Sequence, residues 1–417
     1  DIVMSMANSR ELVGKVALID QIPHAEATFG GFLGVLRPRK IDPLYAMAVL
    51  RTPYARSLLI DSSSQTTNIA NVSLAKLRPL PFPLPPEAEQ SRIVTRVEEL
   101  MRLCDALEAK GQLEATQHAQ LVSTLLATLT DSETPAQLTD NWHRIATHFD
   151  LLLDRPEAVD ALEQTILQLA VRGLLVPQDP QDEPASELLK KIRAEKDKLI
   201  AEGKIKRDKP LPPIAQDEQP FELPVGWEWV RLGDISDFTN GYAFPSTEFS
   251  SDAAGVGIVK IGDIQNGVVS TAGMSYVSQQ YAASIDSSFR VEPGDMLIAM
   301  SGATTGKLGF NRQTQYFLLN QRVGKIALNL VNQAFAHQYL TTKIAENLSI
   351  SAGSAIPNLS TAQIKEIAFP LPPLAEQSRI VTRVAQLRRL CADLRQRLTA
   401  SQSTQAHLAE ALVDTVG

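Results

Sequence analysis

Apolar residues recur at alternating steps of four and three in two separate segments. The first runs Ile93, Val97, Leu100, Cys104, Leu107, with Leu121 and Leu125 further on. The second runs Ile380, Val384, Leu387, Cys391, Leu394, Leu398, with Leu408 and Leu412 beyond. This spacing predicts two coiled-coil helices, each of roughly 40 residues or about 60 Å at 1.5 Å per residue. Pro86 and Pro373 stand at helix starts, where proline is tolerated, and Glu89 and Glu376 fall in first turns, where the helix dipole favours an acid. An apolar seam of that length needs a partner, and the simplest partner for each helix is the other. His118, with Gly111 and Glu114, interrupts the first seam and reads as a polar residue that sets register. Ser401 and Gln405 interrupt the second.

Between and before these helices the pattern changes. "GIVKIGDI", "GDMLIAMS", "KLGF" and "RVGKIAL" are short β-branched or apolar runs broken by Gly and Asn, which predict strands. "NQAFAHQYLTTKIAENL" predicts a helix with Phe335, Tyr339 and Ile344 on one face. "EAVDALEQTILQLAVRGLL", after Pro156, predicts a compact amphipathic helix, and "PQDPQDEP" a turn-rich break. A charged helix then ends near Gly203, followed by a basic, proline-rich linker containing "KIKRDK", which as a charge run is first of all a solvated segment.

The two long helices are also two copies of one text. "FPLPPEAEQSRIVTRVEELMRLC" from Phe82 and "FPLPPLAEQSRIVTRVAQLRRLC" from Phe369 differ at four of 23 positions, at an offset of 287. Upstream, "NVSLAKLRPLPFPLPP" from Asn71 aligns with "NLSTAQIKEIAFPLPP" from Asn358, and "DIVMSMANSRELVGK" from Asp1 with "DMLIAMSGATTGK" from Asp295 after a two-residue gap. Residues 1–82 are therefore expected to be the C-terminal part of a domain whose fuller version spans 221–370, so the sequence reads as N-terminally truncated. The expected divisions are 1–82, first globule; 83–130, first long helix; 131–220, central helical segment and linker; 221–370, second globule; and 371–417, second long helix.

Composition narrows the function. At 417 residues the chain exceeds the size of one growing core, so two or more domains are expected. No apolar run reaches the roughly 18 residues of a membrane-spanning helix, and no signal peptide is evident. The two cysteines occupy matching seam positions and read as buried, reduced thiols, which suits the cytoplasm. The net charge of −7 is no signature of nucleic-acid binding, but local charge differs. From Met296 to Ala345 there is no acidic residue, while Lys307, Arg312, Arg322, Lys325 and Lys343 fall there. Phe221 to Asp295 carries ten acidic residues against three basic ones. A phosphate-facing surface needs such a bias.

Catalytic motifs are missing. "SGATTGK" (Ser301 to Lys307) is one residue short of a P-loop and has Leu308 where magnesium would need Ser or Thr; a polar loop ending in Gly-Lys suits phosphate contacts instead. No zinc spacing and no G-x-S-x-G elbow occur. Nor is there an amino-methyltransferase signature or a carboxylate set for phosphodiester cleavage. The chain reads as a non-enzyme.

Two divergent globules, each followed by a near-identical helix opening "FPLPP.AEQSRIV", resemble the DNA specificity subunit of type I restriction–modification systems. "GWEWVRLGDI" from Gly226, "GDMLIAMSGATTGK" and "LNQRVGKI" are similar to that family's domain opening and core motifs. "QLAVRGLLVPQDPQDEPASELLKKI" is similar to the central segment of its longer-linker branch. The resemblance implies an α/β (α+β) architecture, with two target-recognition globules of mixed β/α structure joined by two long antiparallel coiled-coil helices. It implies double-stranded DNA as ligand, a bipartite asymmetric site, and two modification subunits docked on the repeated helices. Restriction subunits would bind as well. S-adenosylmethionine, ATP and magnesium would be held by those partners and none by this chain. A rod of about 60 Å spans more than one turn of B-DNA, about 34 Å, so both globules can reach one duplex.

Base reading calls for loop donors and acceptors. In the second globule the candidates are Asn240, Tyr242, Lys260, Ser301, Thr304, Thr305, Lys307, Asn320, Gln321 and Arg322. In the first they are Asn8, Ser9, Arg10, Lys15, Arg37, Arg39 and Lys40. The alternative is a coiled-coil adaptor whose globules bind proteins without DNA specificity.

Overall fold

The structure, a computed structural model, describes the chain except residues 22–26, 62–63, 67–68, 204, 206–208, 266, 351–357 and 417. The basic run around "KIKRDK" thus lies largely outside the described residues. The chain divides into two compact units, Asp1–Gln117 and His118–Gly417.

The first unit opens with β1 (Ile2–Ser5), β2 (Ala7–Asn8), β3 (Val16–Leu18) and β4 (Leu33–Leu36). It continues with α1 (Pro43–Arg51), α2 (Pro53–Asp61), β5 (Ser64–Thr66), β6 (Ile69–Asn71) and α3 (Leu74–Leu77), and α4 (Glu87–Thr130) begins in it. β1 is the centre of an antiparallel sheet ordered β3-β1-β4. Its alternation turns Ile2 and Met4 inward onto Val13, Val16, Ala46, Leu50, Leu59 and Val72. α1 begins where Asp42 accepts the N–H groups of Leu44 and Tyr45, with Pro43 in the first turn.

The second unit holds α5 (Pro135–Thr147), α6 (Phe149–Leu152), α7 (Pro156–Val171) and α8 (Ala185–Ala201). Its globule starts with β7 (Glu228–Arg231), α9 (Leu232–Ile235), β8 (Ser236–Asn240), β9 (Val256–Val259), β10 (Ile264–Gln265), β11 (Gly267–Val269) and β12 (Ser275–Val277). There follow α10 (Gln279–Ser284), β13 (Arg290–Val291), β14 (Met296–Ala299), β15 (Leu308–Phe310), β16 (Phe317–Leu319) and β17 (Val323–Leu328). α11 (Gln333–Ile350), α12 (Thr361–Lys365), β18 (Ala368–Leu371) and α13 (Leu374–Val416) complete it. Two sheets form the globule, ordered β10-β11-β15-β14-β17-β8 and β12-β9-β16-β13, and β18 pairs with β7. All four residues of β14 and of β9 are buried, as expected of strands covered on both faces.

Each expected long helix forms, of 44 residues in α4 and 43 in α13, but their seams differ. On α13, Ile380, Val384 and Cys391 are buried, and Leu387, Leu394 and Leu398 pack partly buried against the same core as α7. Ion pairs tie the two helices, Arg388 Nε to Glu163 at 2.6 Å and Arg395 Nη2 to Glu163 at 2.9 Å. Burial also pushes the Cys391 thiol pKa up, which keeps it protonated. On α4, by contrast, Val97, Leu100, Cys104 and Leu107 are exposed and Ile93 is half-buried. The expectation of two buried cysteines holds only for Cys391.

Further along α4 the buried register is shifted by one residue. Val122, Leu126 and Leu129 are buried in place of Leu121, which is exposed, and Leu125 is only partly covered. The cause is a different set of neighbours, since these residues join the core built with α5 to α8. At the second helix's end Leu408 and Leu412 are exposed. His118 Nε2 lies 3.1 Å from Leu151 O and 3.3 Å from Asp154 Oδ1, which ties α4 to the α6–α7 connection.

Candidate nucleic-acid interface

Strand directions decide which loops meet. β17 pairs antiparallel with both β14 and β8, with Ala299 opposite Val323 and Asn240 opposite Gly324. The segments after β8 and β14 and the one before β17 therefore emerge at one edge. β16 runs parallel to β9, Leu319 beside Val259, which brings Lys260 and Asn320 there too. A bridge between Tyr242 and Asn320 joins the two sheets at that edge. It brings the backbones so close at Gly241 that a Cβ would lie 1.9 Å from Asn320 O. All ten candidates of the second globule are thus gathered at one loop edge.

Their side chains divide by what already engages them. Thr304 Oγ1 donates to Ile261 O at 3.0 Å and Thr305 Oγ1 to Gly302 O at 2.7 Å, so both hydroxyls hold the loop's shape. Gly302 and Gly306, each at φ 83°, make the loop's two left-handed turns. Asn240 Oδ1 accepts from Thr361 Oγ1, and Asn320 Oδ1 accepts the N–H of Gln321. Lys260 Nζ donates to Ser275 Oγ at 2.7 Å and lies 4.2 Å from the Phe249 ring centroid. Tyr242 packs against Phe244 and Phe289, with centroids 5.0 and 5.4 Å away. Ser301 Oγ is buried and has no hydrogen-bond partner among the described residues. Lys307, Gln321 and Arg322 are exposed. Asn240 and Tyr242 are exposed as well, but both are already engaged, so these three are the exposed side chains that the contacts above leave uncommitted.

The acid-free stretch is not one surface. Lys325, within β17, donates to Arg290 O at 2.6 Å and faces Asp295 at 3.6 Å. Arg312 lies over the Phe310 ring, its guanidinium 4.6 Å from the centroid. Of the five basic residues, only Lys307 and Arg322 stand on the loop edge.

The first unit repeats the β14–β17 part of this edge bond for bond. Gly14 N donates to Ser5 O and Ser5 N to Lys15 O, as Gly306 N does to Ala299 O and Ala299 N to Lys307 O. Met6 N donates to Phe32 O at 2.8 Å, as Met300 N does to Arg322 O at 2.9 Å. Leu33 N donates to Gly30 O at 3.0 Å, as Val323 N does to Asn320 O at 2.9 Å. Lys15 therefore corresponds to Lys307 and Phe32 to Arg322. Asn8, Ser9, Arg10 and Lys15 belong to this edge, and Asn8 Oδ1 accepts the N–H of Ser9.

Arg37, Arg39 and Lys40 do not. They follow β4, whose last residue Leu36 pairs with Ile2 at the opposite end of β1. Arg37 Nε pairs with Asp1 at 3.1 Å. Lys40, at φ 59°, makes the left-handed turn before α1 that Leu330, at φ 55°, makes before α11. Charge in a loop suggested contact, but strand direction puts these three at the wrong end.

Two features of the edge and its support are not visible in the sequence pattern. One is Phe32, visible only once strand register places "FLGVL" beside "RVGKI". The other is the repeated glutamine of "AEQ", buried in both copies. Gln377 Oε1 accepts the N–H of Asn332 and its Nε2 donates to Pro372 O at 2.9 Å. Gln90 does the same with Asp42 and Pro85, at 2.9 Å each. The neighbouring acids differ. Glu376 is buried and accepts from Trp227 Nε1 at 2.9 Å and Gln178 Nε2 at 2.8 Å, while Glu89 is exposed. Burial raises the Glu376 pKa against those two bonds.

A duplicated loop edge on a sheet, with the same glutamine in each copy holding the start of a long helix, defines a protein built from two related units. The family model described as type I restriction modification DNA specificity domain matches residues 1–117 and 224–401, and the chain belongs to that family. Over 342 residues it is 44% identical to the type I restriction enzyme EcoAI specificity subunit of Escherichia coli, covering 80% of this chain and 57% of that protein. It is 34% identical to the EcoEI specificity subunit of the same species, covering 92% of this chain and 66% of that one. The chain thus spans between half and two thirds of these relatives' lengths. A solved chain from work on complex assembly and conformational transition of the type I R-M system shares the fold, with a TM-score of 0.55 at 18% identity, covering 99% of this chain and 80% of that one. Among the described residues no helix is long and apolar enough to cross a membrane, and no three His, Cys, Asp or Glu side chains gather as a metal site.

Proposed function

We propose that this chain is the sequence-reading subunit of a type I restriction–modification complex and carries no catalysis of its own. Each loop edge reads one half of a bipartite, asymmetric DNA site. The repeated helices α4 and α13 present matching surfaces to two modification subunits, which bring S-adenosylmethionine. Restriction subunits bring ATP and magnesium. One observation carries the reading: two edges share a hydrogen-bond framework down to Lys15 and Lys307, yet differ in their outward side chains. Common lysines suit sequence-blind phosphate contact, and divergent neighbours suit base readout. The alternative, a protein-binding adaptor, gives no reason for two equivalent lysines beside two unlike readers. Mapping genomic adenine methylation with and without this chain tests the proposal. Deletion removes one gapped, two-part motif; an unchanged map, or loss of an ungapped palindrome, overturns it.

A further inference from the structure

Resting on that reading, we infer that the two edges read by opposite chemistry, with Phe32 contacting a thymine methyl group where Arg322 makes polar base contacts. The correspondence comes from backbone bonds rather than alignment: the carbonyls of Phe32 and Arg322 accept from Met6 and Met300, and Leu33 and Val323 pair with Ser5 and Ala299. Both side chains face solvent, Phe32 with 71% of its surface exposed. Single exposed apolar residues are common on proteins and by themselves mean nothing. Phe32 differs because it replaces an outward arginine at the tip of a loop edge that also offers Lys15. Phe29 does not join the argument. It corresponds to Leu319, which is fully buried in the second unit, so its exposure concerns packing.

The chemistry then follows from the bases. In the major groove an arginine at Arg322's place pairs with the O6 and N7 of guanine, and Gln321 beside it can address adenine. A phenyl ring has no donor or acceptor, and the one apolar group displayed there is the C5-methyl of thymine. The loop is built for close approach, since Gly30 and Gly31 precede Phe32 and a Cβ on either would meet nothing within 4 Å. No side chain on either residue would hold the ring away from a base edge. The half-site of the first unit therefore contains at least one thymine whose methyl group contributes to binding.

The test uses the complete chain assembled with its methyltransferase subunits, and duplexes carrying the mapped site. Thymidine is replaced by deoxyuridine in one half at a time, which removes only the methyl group. The half whose readout relaxes in Arg322→Ala belongs to the second unit. In the other half, deoxyuridine weakens wild-type binding about fourfold, the weight of one buried methyl group. Phe32→Ala loses a similar factor on the thymidine duplex and no longer distinguishes the two duplexes, while Phe32→Leu keeps the discrimination. The inference is overturned if that half contains no thymine, if wild type binds both duplexes equally, or if Phe32→Ala still discriminates. A wild-type complex that prefers no duplex instead overturns the DNA-reading proposal itself.

Discussion

The Oε1 of Gln377 accepts the backbone N–H of Asn332 at 2.8 Å, which fixes the start of α11 to the first turn of α13. Gln377→Leu leaves the part-buried N–H and the buried carbonyl of Pro372 without this partner, and the buried loss alone costs about 1–3 kcal/mol. The variant unfolds at lower denaturant with an unchanged slope. Gln90→Leu, which breaks the same pair of bonds in the first unit, destabilises that unit in the same way. A midpoint unmoved by Gln377→Leu removes the joint from the account of stability.

The unequal seams give a second expectation. Ile380→Ala empties a fully buried position on α13 and costs about 2–5 kcal/mol. Leu100→Ala and Leu107→Ala on α4 remove exposed side chains and change stability by no more than about 0.5 kcal/mol in the isolated chain. Denaturant titration of the three variants decides it, and equal losses contradict the asymmetry.

Acid should loosen the linker ahead of the second globule. Arg231 is buried and holds Glu218 with two bonds, at 2.7 and 2.8 Å, while its guanidinium also donates to the carbonyls of Pro212 and Pro213. The Arg231 bond lowers the Glu218 pKa from 4.5 to about 2. A carboxylate depressed in the folded state contributes its stability fully above its unfolded pKa and loses it as pH falls to the folded one. Stability therefore drops between about pH 4.5 and 2, and Glu218→Gln flattens that interval. Thermal melts of both proteins across this range check the sign.

The two outward cations of the second edge should separate by salt. Lys307→Ala weakens binding to all duplexes alike and lowers the salt slope by about 1, as for one lost phosphate contact. Arg322→Ala costs about 1–3 kcal/mol and relaxes one base position in one half-site only. If both variants behave alike across sequences, Arg322 is a phosphate ligand and not a reader.

How much of this was legible depended on the kind of interaction. Local periodicity announced α4, α7, α11 and α13, and Gly-bounded apolar runs announced β9, β14, β15 and β17. The repeat announced two equivalent edges. What covers a seam is a long-range fact. α13 showed a seam in its spacing, but that α7 would lie along it depended on a helix more than 200 residues earlier, through Glu163 and Arg388. Likewise nothing local marks Arg37, Arg39 and Lys40 as belonging to the far end of the sheet. That follows from Ile2 pairing with Leu36, a register no residue type encodes alone. Phe32 was missed because loop candidates were chosen for charge and polarity, which passes over an exposed apolar residue at the same edge.

The glutamine joint and the loop edge stand at opposite ends of one strand. β17 starts beside Arg322 and, six residues or about 20 Å later, leads through Leu330 to the capping Asn332 that Gln377 holds. Substitutions at the outer end leave the bonds of Gln377 untouched, so the two ends of β17 can vary independently.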